Sequence, residues 1–154
     1  MKKLISIILA LTLAIGLFGC AAEPAASTDI NAKSEGTMTH AEYMAADMDS
    51  EVTVEAFVQG HQSWWDNKIT VYLQDPAGAY FCYELECSEA DAAKLTKGTK
   101  IQVKGFKGAW EGEVEIMEGK FTFVESEKWV AEATDVTSVL ANEAELIKHQ
   151  NKFV

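Results

Sequence analysis

The chain contains no arginine: its thirteen basic side chains are all lysines, set against 24 acids in 154 residues. That absence removes the planar guanidinium fork, which suits bidentate phosphate and base recognition. The formal charge of −11 works in the same direction, because an acidic domain repels a polyanion at long range. Histidine is equally sparse. His40, His61 and His149 stand in three separate segments, and no His-x-x-x-His or Cys-x-x-Cys pair exists, so zinc-ligand spacing is missing. There is no Gly-x-Ser-x-Gly elbow and no Walker or Rossmann glycine motif. The expectation is a non-enzymatic protein without metal or cofactor. No apolar run reaches the roughly 20 residues a membrane-spanning helix needs.

What is present starts at the N-terminus. Lys2 and Lys3 precede an apolar run from Leu4 to Phe18, which ends in Gly19-Cys20 before polar Ala/Glu/Pro/Ser sequence. A charged start and a short apolar stretch form a secretory signal. The segment resembles a bacterial lipoprotein signal, whose lipobox ends in Gly-Cys. The resemblance implies cleavage after residue 19 and a lipid on Cys20, hence a location on the extracytoplasmic face of the cell membrane. The alternative is an ordinary secretory signal that happens to contain Cys20. Without residues 1–19, 11 lysines face 24 acids, a charge of −13. Such a surface would be repelled by anionic lipid, so attachment must come from the lipid itself. One acyl chain anchors marginally and two anchor stably; the diacylglyceryl unit of the lipoprotein family meets that need. The remaining 135 residues suffice for one domain.

Residues 20–36 lack apolar periodicity and read as a flexible tether. Thr39 with Glu42 three residues on completes a capping box for a short helix reaching Met48, with Tyr43, Met44 and Met48 on one face. From Glu51 the period becomes two. Val52, Val54, Ala56 and Val58 mark a half-buried strand; Ile69, Val71 and Leu73 mark a second; Phe81, Tyr83 and Leu85 mark a third. Asp75-Pro76-Ala77-Gly78 joins the last two, with Gly78 expected at positive φ. Ser88 caps a short helix with Asp91 at its third position, and Gly98 ends it. Ile101 and Val103 begin a fourth strand. A turn over Gly108–Gly112 leads to a fifth strand through Val114, Ile116, Phe121 and Phe123, bent at Glu118-Gly119. Residues 129–154 read as a C-terminal helical extension capped by Asn142. Cys82 and Cys87 lie on one extended strand, about 16 Å apart by strand rise. A disulfide tolerates about 7 Å, so two free thiols are expected, Cys87 the more buried.

The order is thus five strands with one helix between the third and fourth, the order of an OB-fold Greek-key barrel. Gly105 and Gly119 suit its tight bends. Four stretches carry a closer likeness: Gln62-Ser63-Trp64-Trp65-Asp66-Asn67, Tyr72-Leu73-Gln74-Asp75, Lys97 to Gly105, and Trp110 to Ile116. On these the segment from Glu51 to Glu125 resembles the OB-fold domains of bacterial lipoproteins, described as nucleic-acid-binding-like. The expected class is mainly β, with residues 37–128 as the OB-fold domain and short flanking helices at both ends.

OB-fold ligands lie across the second and third strands, flanked by the first and last hairpin loops. Here those loops carry Trp64 and Trp65, and Trp110. Tyr72 and Tyr80 are expected on the outward face between them. Such aromatics stack on bases, on sugar rings or on a partner's apolar anchor. At least one of Trp64 and Trp65 is expected to fold back on the barrel. The alternating Glu111, Glu113 and Glu115 match no calcium loop and read as a solvated face. The leading function is therefore an envelope-polysaccharide or protein binder using Trp64, Trp65, Tyr72, Tyr80 and Trp110. The alternative is single-stranded nucleic acid on the same face, with Lys68, Lys104 and Lys107 on the phosphates, against the charge.

Overall fold

The computed structural model describes residues 28–154; the signal, Cys20 and the start of the tether lie outside them. Five strands close into a barrel: β1 (Glu51–His61), β2 (Lys68–Asp75), β3 (Gly78–Glu86), β4 (Lys100–Trp110) and β5 (Glu113–Phe123). Around the barrel the order is β1-β2-β3-β5-β4. Only β3 and β5 run parallel, sharing two register pairs, Phe81–Glu115 and Cys82–Ile116. This is the mainly β, five-stranded OB-fold that the strand pattern predicts. The alternating directions put the β1–β2 turn and the β4–β5 turn at opposite ends of the barrel.

The inward set of β1 is the predicted one. Val52, Val54, Ala56 and Val58 are fully buried and meet Ile69, Val71, Leu73, Ile101, Val103 and Ile116. A side chain of this kind contributes about 1.5–3 kcal/mol when fully buried. The outward set departs from the half-buried expectation, because Glu55 and Phe57 are just as inaccessible. Two flanking segments cover them. The Ser34 N–H donates to Glu55 Oε2 at 3.2 Å, and Lys33 Nζ donates to the Glu55 carbonyl at 2.6 Å. From the other terminus, the Trp129 ring lies 5.4 Å from that of Phe57, and the Ala131 N–H donates to Gln59 Oε1 at 2.9 Å. Residues 32–34, read from sequence as tether, are therefore clamped to the barrel.

The leading helix, α1 (His40–Ala45), has the Thr39–Glu42 capping box. It is shorter than predicted, and the expected shared face is not buried as one: Tyr43 is inside while Met44 and Met48 are exposed. Lys107 explains the stop. Its ammonium donates to the Met44 and Ala46 carbonyls, both at 2.7 Å, satisfying acceptors that a helix end leaves open. Tyr43 then plugs the barrel against Tyr80, ring centroids 5.3 Å apart.

Gly78 is not in the left-handed region. Space is its reason, since an added Cβ would meet the His40 ring. The turn itself is held by Asp75 Oδ1, which accepts from the N–H groups of Ala77 and Gly78 at 2.8 Å. The β4–β5 connection is also tighter than predicted. It is the two-residue pair Glu111-Gly112, at φ 47° and 91°, the backbone of a tight hairpin. Trp110 thus ends β4 rather than sitting in a loop.

In β3 the register shifts opposite Ile69–Val71, with Glu84 at φ 49°. Its N–H, displaced from the ladder, donates to Thr70 Oγ1 at 3.1 Å. This bulge reverses side-chain parity. Cys82 and Cys87 consequently both face the core as free thiols, and Cys82, not Cys87, is the more buried. Burial pushes both thiols above their ordinary pKa. The caps at Ser88 and Asn142 hold, on α2 (Glu89–Ala92) and α3 (Glu143–Leu146). The helix lengths do not: α2 ends six residues before Gly98, which turns the later loop at φ 83°, and residues 129–154 are mostly irregular, with α3 and two 3-10 turns, Thr137–Val139 and Ile147–His149. The C-terminal segment returns to the barrel through Phe153, whose N–H donates to Gln74 Oε1 at 2.8 Å.

Candidate ligand-binding face

The six predicted site residues do not form one platform. Tyr80 is completely buried, because it belongs to the inward set with Leu73 and Cys82. It contacts no ligand surface; its hydroxyl donates to Asp75 Oδ2 at 3.2 Å. Trp64 is partly buried against the core, and its indole N–H donates to the Cys87 carbonyl at 2.9 Å. It is the tryptophan that folds back. Trp65 stays 76 % exposed at the β1–β2 turn, held by reciprocal backbone bonds with Lys68 across Asp66-Asn67. Lys68 is drawn to Glu84, Nζ to Oε2 2.7 Å. Tyr72 is half-buried, its hydroxyl accepting from Gln62 Nε2 at 3.3 Å. Trp110 is 72 % exposed at the other end of the barrel.

Around Trp110 the outward face assembles something the sequence reading missed. The order β3-β5-β4 places Phe81 and Tyr83 on one side, Glu113, Glu115 and Met117 in the middle and Trp110 on the other. These six residues line a cleft of about 440 Å³. Gly108 makes room in it, since the Met117 side chain lies where a Gly108 Cβ would stand. The rings continue sideways. Tyr72 and Phe81 have centroids 5.2 Å apart, and Phe81 and Tyr83 6.3 Å. Beyond Tyr83 and Met117, where β3 and β5 part after their two register pairs, the cleft opens into a wider groove of about 660 Å³. Its charges are already matched in part, Lys68 with Glu84 and Lys120 with Glu86 at 2.9 Å.

Phe81 and Tyr83, read from sequence as marking the third strand with Leu85 and not as site residues, stand on the outward face expected for Tyr80, because Ala79-Tyr80-Phe81-Cys82-Tyr83 is apolar on both faces and period two cannot say which is inward. Glu115 corrects the reading of a solvated acidic face: it is only 7 % exposed. Desolvation, and secondarily the neighbouring Glu113, push its carboxyl above the ordinary range. The lysines proposed for phosphate contact are engaged elsewhere. Lys107 is buried on the α1 carbonyls, and Lys104 pairs with Glu51 at 3.0 Å. Among the described residues no cluster of three His, Cys, Asp or Glu side chains gathers as a metal site, and no helix is long and apolar enough to cross a membrane.

No family model matches the chain, and no curated protein matches it. Solved structures resemble its barrel. The asparaginyl-tRNA synthetase of Pyrococcus horikoshii, complexed with asparaginyl-adenylate, matches at 20 % identity and a TM-score of 0.43, over 53 % of this chain and 20 % of the synthetase. The Entamoeba histolytica asparaginyl-tRNA synthetase matches at 14 % identity and 0.47, over 70 % of this chain and 26 % of its own. The hypothetical protein ygiW from E. coli matches at 15 % and 0.41, over 57 % of this chain and 89 % of its own. These are likenesses of fold. The chain spans about a fifth of the Pyrococcus synthetase it matches.

Proposed function

We propose that this chain is a non-enzymatic binding module, anchored by a lipid on Cys20 at the extracytoplasmic face of the cell membrane. Its working surface is the outward face of β3, β5 and β4, and its ligand is an envelope polysaccharide or protein. The observation that carries this reading is Trp110, 72 % exposed on the rim of a cleft that also holds Phe81 and Tyr83. An indole left in water beside further aromatic surface marks an interaction site. Its flat apolar face suits a sugar ring or a partner's apolar anchor. The acids of the cleft and the missing arginine weigh against a phosphate backbone.

The test is a tryptophan-fluorescence titration of the unlipidated chain from Cys20 to Val154, with cell-wall glycan fragments and oligo-dT at low and high salt. A saturable glycan response that is insensitive to salt is expected, and Trp110→Ala should weaken it about tenfold, in line with roughly 1–3 kcal/mol for one stacked ring. Saturable quenching by oligo-dT that salt abolishes would replace this reading with nucleic-acid binding. Anchoring is tested separately. Cys20→Ala should move the protein out of the lipid-labelled membrane pool, because no other segment supplies two acyl chains. Unchanged labelling would refute the lipid assignment.

A further inference from the structure

We infer that the cleft between β3 and β4 is a cage for an organic ammonium group, with Phe81, Tyr83 and Trp110 as its rings and Glu115, beside Glu113, as its counter-charge. This rests on reading the same face as the binding surface, and names the chemistry it selects.

Three observations carry it. Glu115 is more than nine-tenths buried and lines the cleft. Among the described residues its carboxylate has neither an ion pair nor a hydrogen bond, whereas seven salt bridges form elsewhere. A carboxylate largely withdrawn from water, reaching it over only 7 % of the residue's surface and holding no partner, is unfavourable, and a bound cation would supply that partner. The rings come second. Lysines of this chain stand over Tyr43, Phe57, Tyr80, Phe123 and Phe153, at 4.4–5.9 Å from the centroids. Among the described residues no lysine stands over Phe81, Tyr83 or Trp110; Tyr83 and Trp110 are open to solvent, and Phe81, 8 % exposed, forms the floor between them. The third is ligand choice. An anion is repelled here, and a neutral sugar ring stacked on Trp110 leaves Glu115 unpaired, so the envelope glycan or protein that fills the whole cleft is one that carries an ammonium group. A trimethylammonium group or a lysyl ammonium meets both the ring faces and the charge, and the 440 Å³ cleft accommodates either with its stem.

The experiment follows the Trp110 indole N–H by ¹H–¹⁵N NMR in the unlipidated chain from Cys20. The probes are choline, Nα-acetyl-lysine methylamide, and 3,3-dimethylbutanol, the uncharged isostere of choline. At least one cation should shift the Trp110 signal saturably, while the isostere binds at least threefold more weakly. Choline alone would identify a small quaternary ammonium as the ligand; the lysine derivative would identify a side chain. Glu115→Gln should weaken cation binding by roughly tenfold, the loss of one close opposite charge near the protein surface, with the rest of the spectrum preserved. Trp110→Ala, followed on the Tyr83 amide, should weaken it as much. Equal affinity for choline and its isostere would overturn the inference, as would unchanged binding in Glu115→Gln. If the cations fail while the glycan titration saturates, the cage alone is wrong; if both fail, the binding face itself is wrong.

Discussion

Lys100→Met is expected to destabilise the barrel by about 3 kcal/mol, the low end of the range for breaking a buried ion pair from one side. Lys100 and Glu55 meet at 2.9 Å, with side chains 3 % and 1 % exposed. The ammonium also donates to the Ala32 carbonyl and lies 5.3 Å from the centre of the Phe57 ring. Methionine keeps the stem but strands the Glu55 carboxylate and frees an acceptor on the covering segment. The low end applies because Glu55 retains the Ser34 N–H, and Lys33 stays nearby on its carbonyl. Chemical denaturation should show the loss as a lower midpoint. The cycle with Glu55→Met decides the cause. The double variant should be more stable than Lys100→Met, because a buried pair replaced by apolar side chains often costs little. If the double variant loses the sum of the two single losses, packing rather than charge explains the effect.

The same pair sets a pH signature. Burial raises the Glu55 carboxyl, but bonds from Ser34 and Lys100 outweigh it and hold the group below its ordinary value. A depressed carboxyl contributes stability above its unfolded pKa and loses it as pH falls through the folded one. In Lys100→Met the main cationic partner is gone and protonation relieves the stranded charge. The gap between wild type and variant should therefore narrow as pH drops through the acid range. A gap that widens in acid would contradict this account. Glu115 has the opposite sign. Its raised carboxyl makes the fold less favourable as pH rises through the acid range, with Glu113 on the same strand, Tyr83 from β3 and Tyr43 from α1 facing it.

How much of this was legible beforehand follows from which forces act locally. The inward set of β1 was readable because Val52, Val54 and Ala56 alternate with the polar Glu51, Thr53 and Glu55, and Val58 continues the period past Phe57. The caps at Thr39, Ser88 and Asn142 were readable because each is settled within one turn of chain. Burial of Glu55 and Phe57 was not, since it depends on residues 32–34 and 129–131 arriving from both ends of the chain. The cleft was hidden for a related reason. Its six residues come from three strands, and which face of Tyr80-Phe81-Cys82-Tyr83 points outward depends on pairing with β2 and β5. The Glu84 bulge, which brings both thiols inward, leaves no turn-forming residue to announce it. Trp110 was legible as an exposed aromatic; its neighbours were not.

Gly105→Ala should cost about 3 kcal/mol, the upper end for forcing atoms into a packed interior, and lower the melting temperature by roughly 10 °C. Gly105 pairs with Val52 of β1 and lies at the register shift where β4 bends over β5. A Cβ there would stand 2.7 Å from the Met117 carbonyl oxygen, 2.8 Å from Ile116 Cγ2 and 3.0 Å from Gly119 Cα. Two of those atoms are backbone, so no rotamer change relieves the clash and the strands themselves must separate. Gly60→Ala is the matched control. It is also a strand glycine, but nothing lies within 4 Å of its Cβ, so removing glycine's freedom in the unfolded chain should leave stability unchanged or raise it by up to about 1 kcal/mol. Comparable losses in both variants would mean that glycine's backbone, not the close approach, is what the barrel requires. The clash also reaches the cleft. Met117 lines it, and Glu115 lies two residues before the affected carbonyl. A Gly105→Ala protein that folds at low temperature should therefore bind choline more weakly than wild type, although residue 105 is outside the cleft lining.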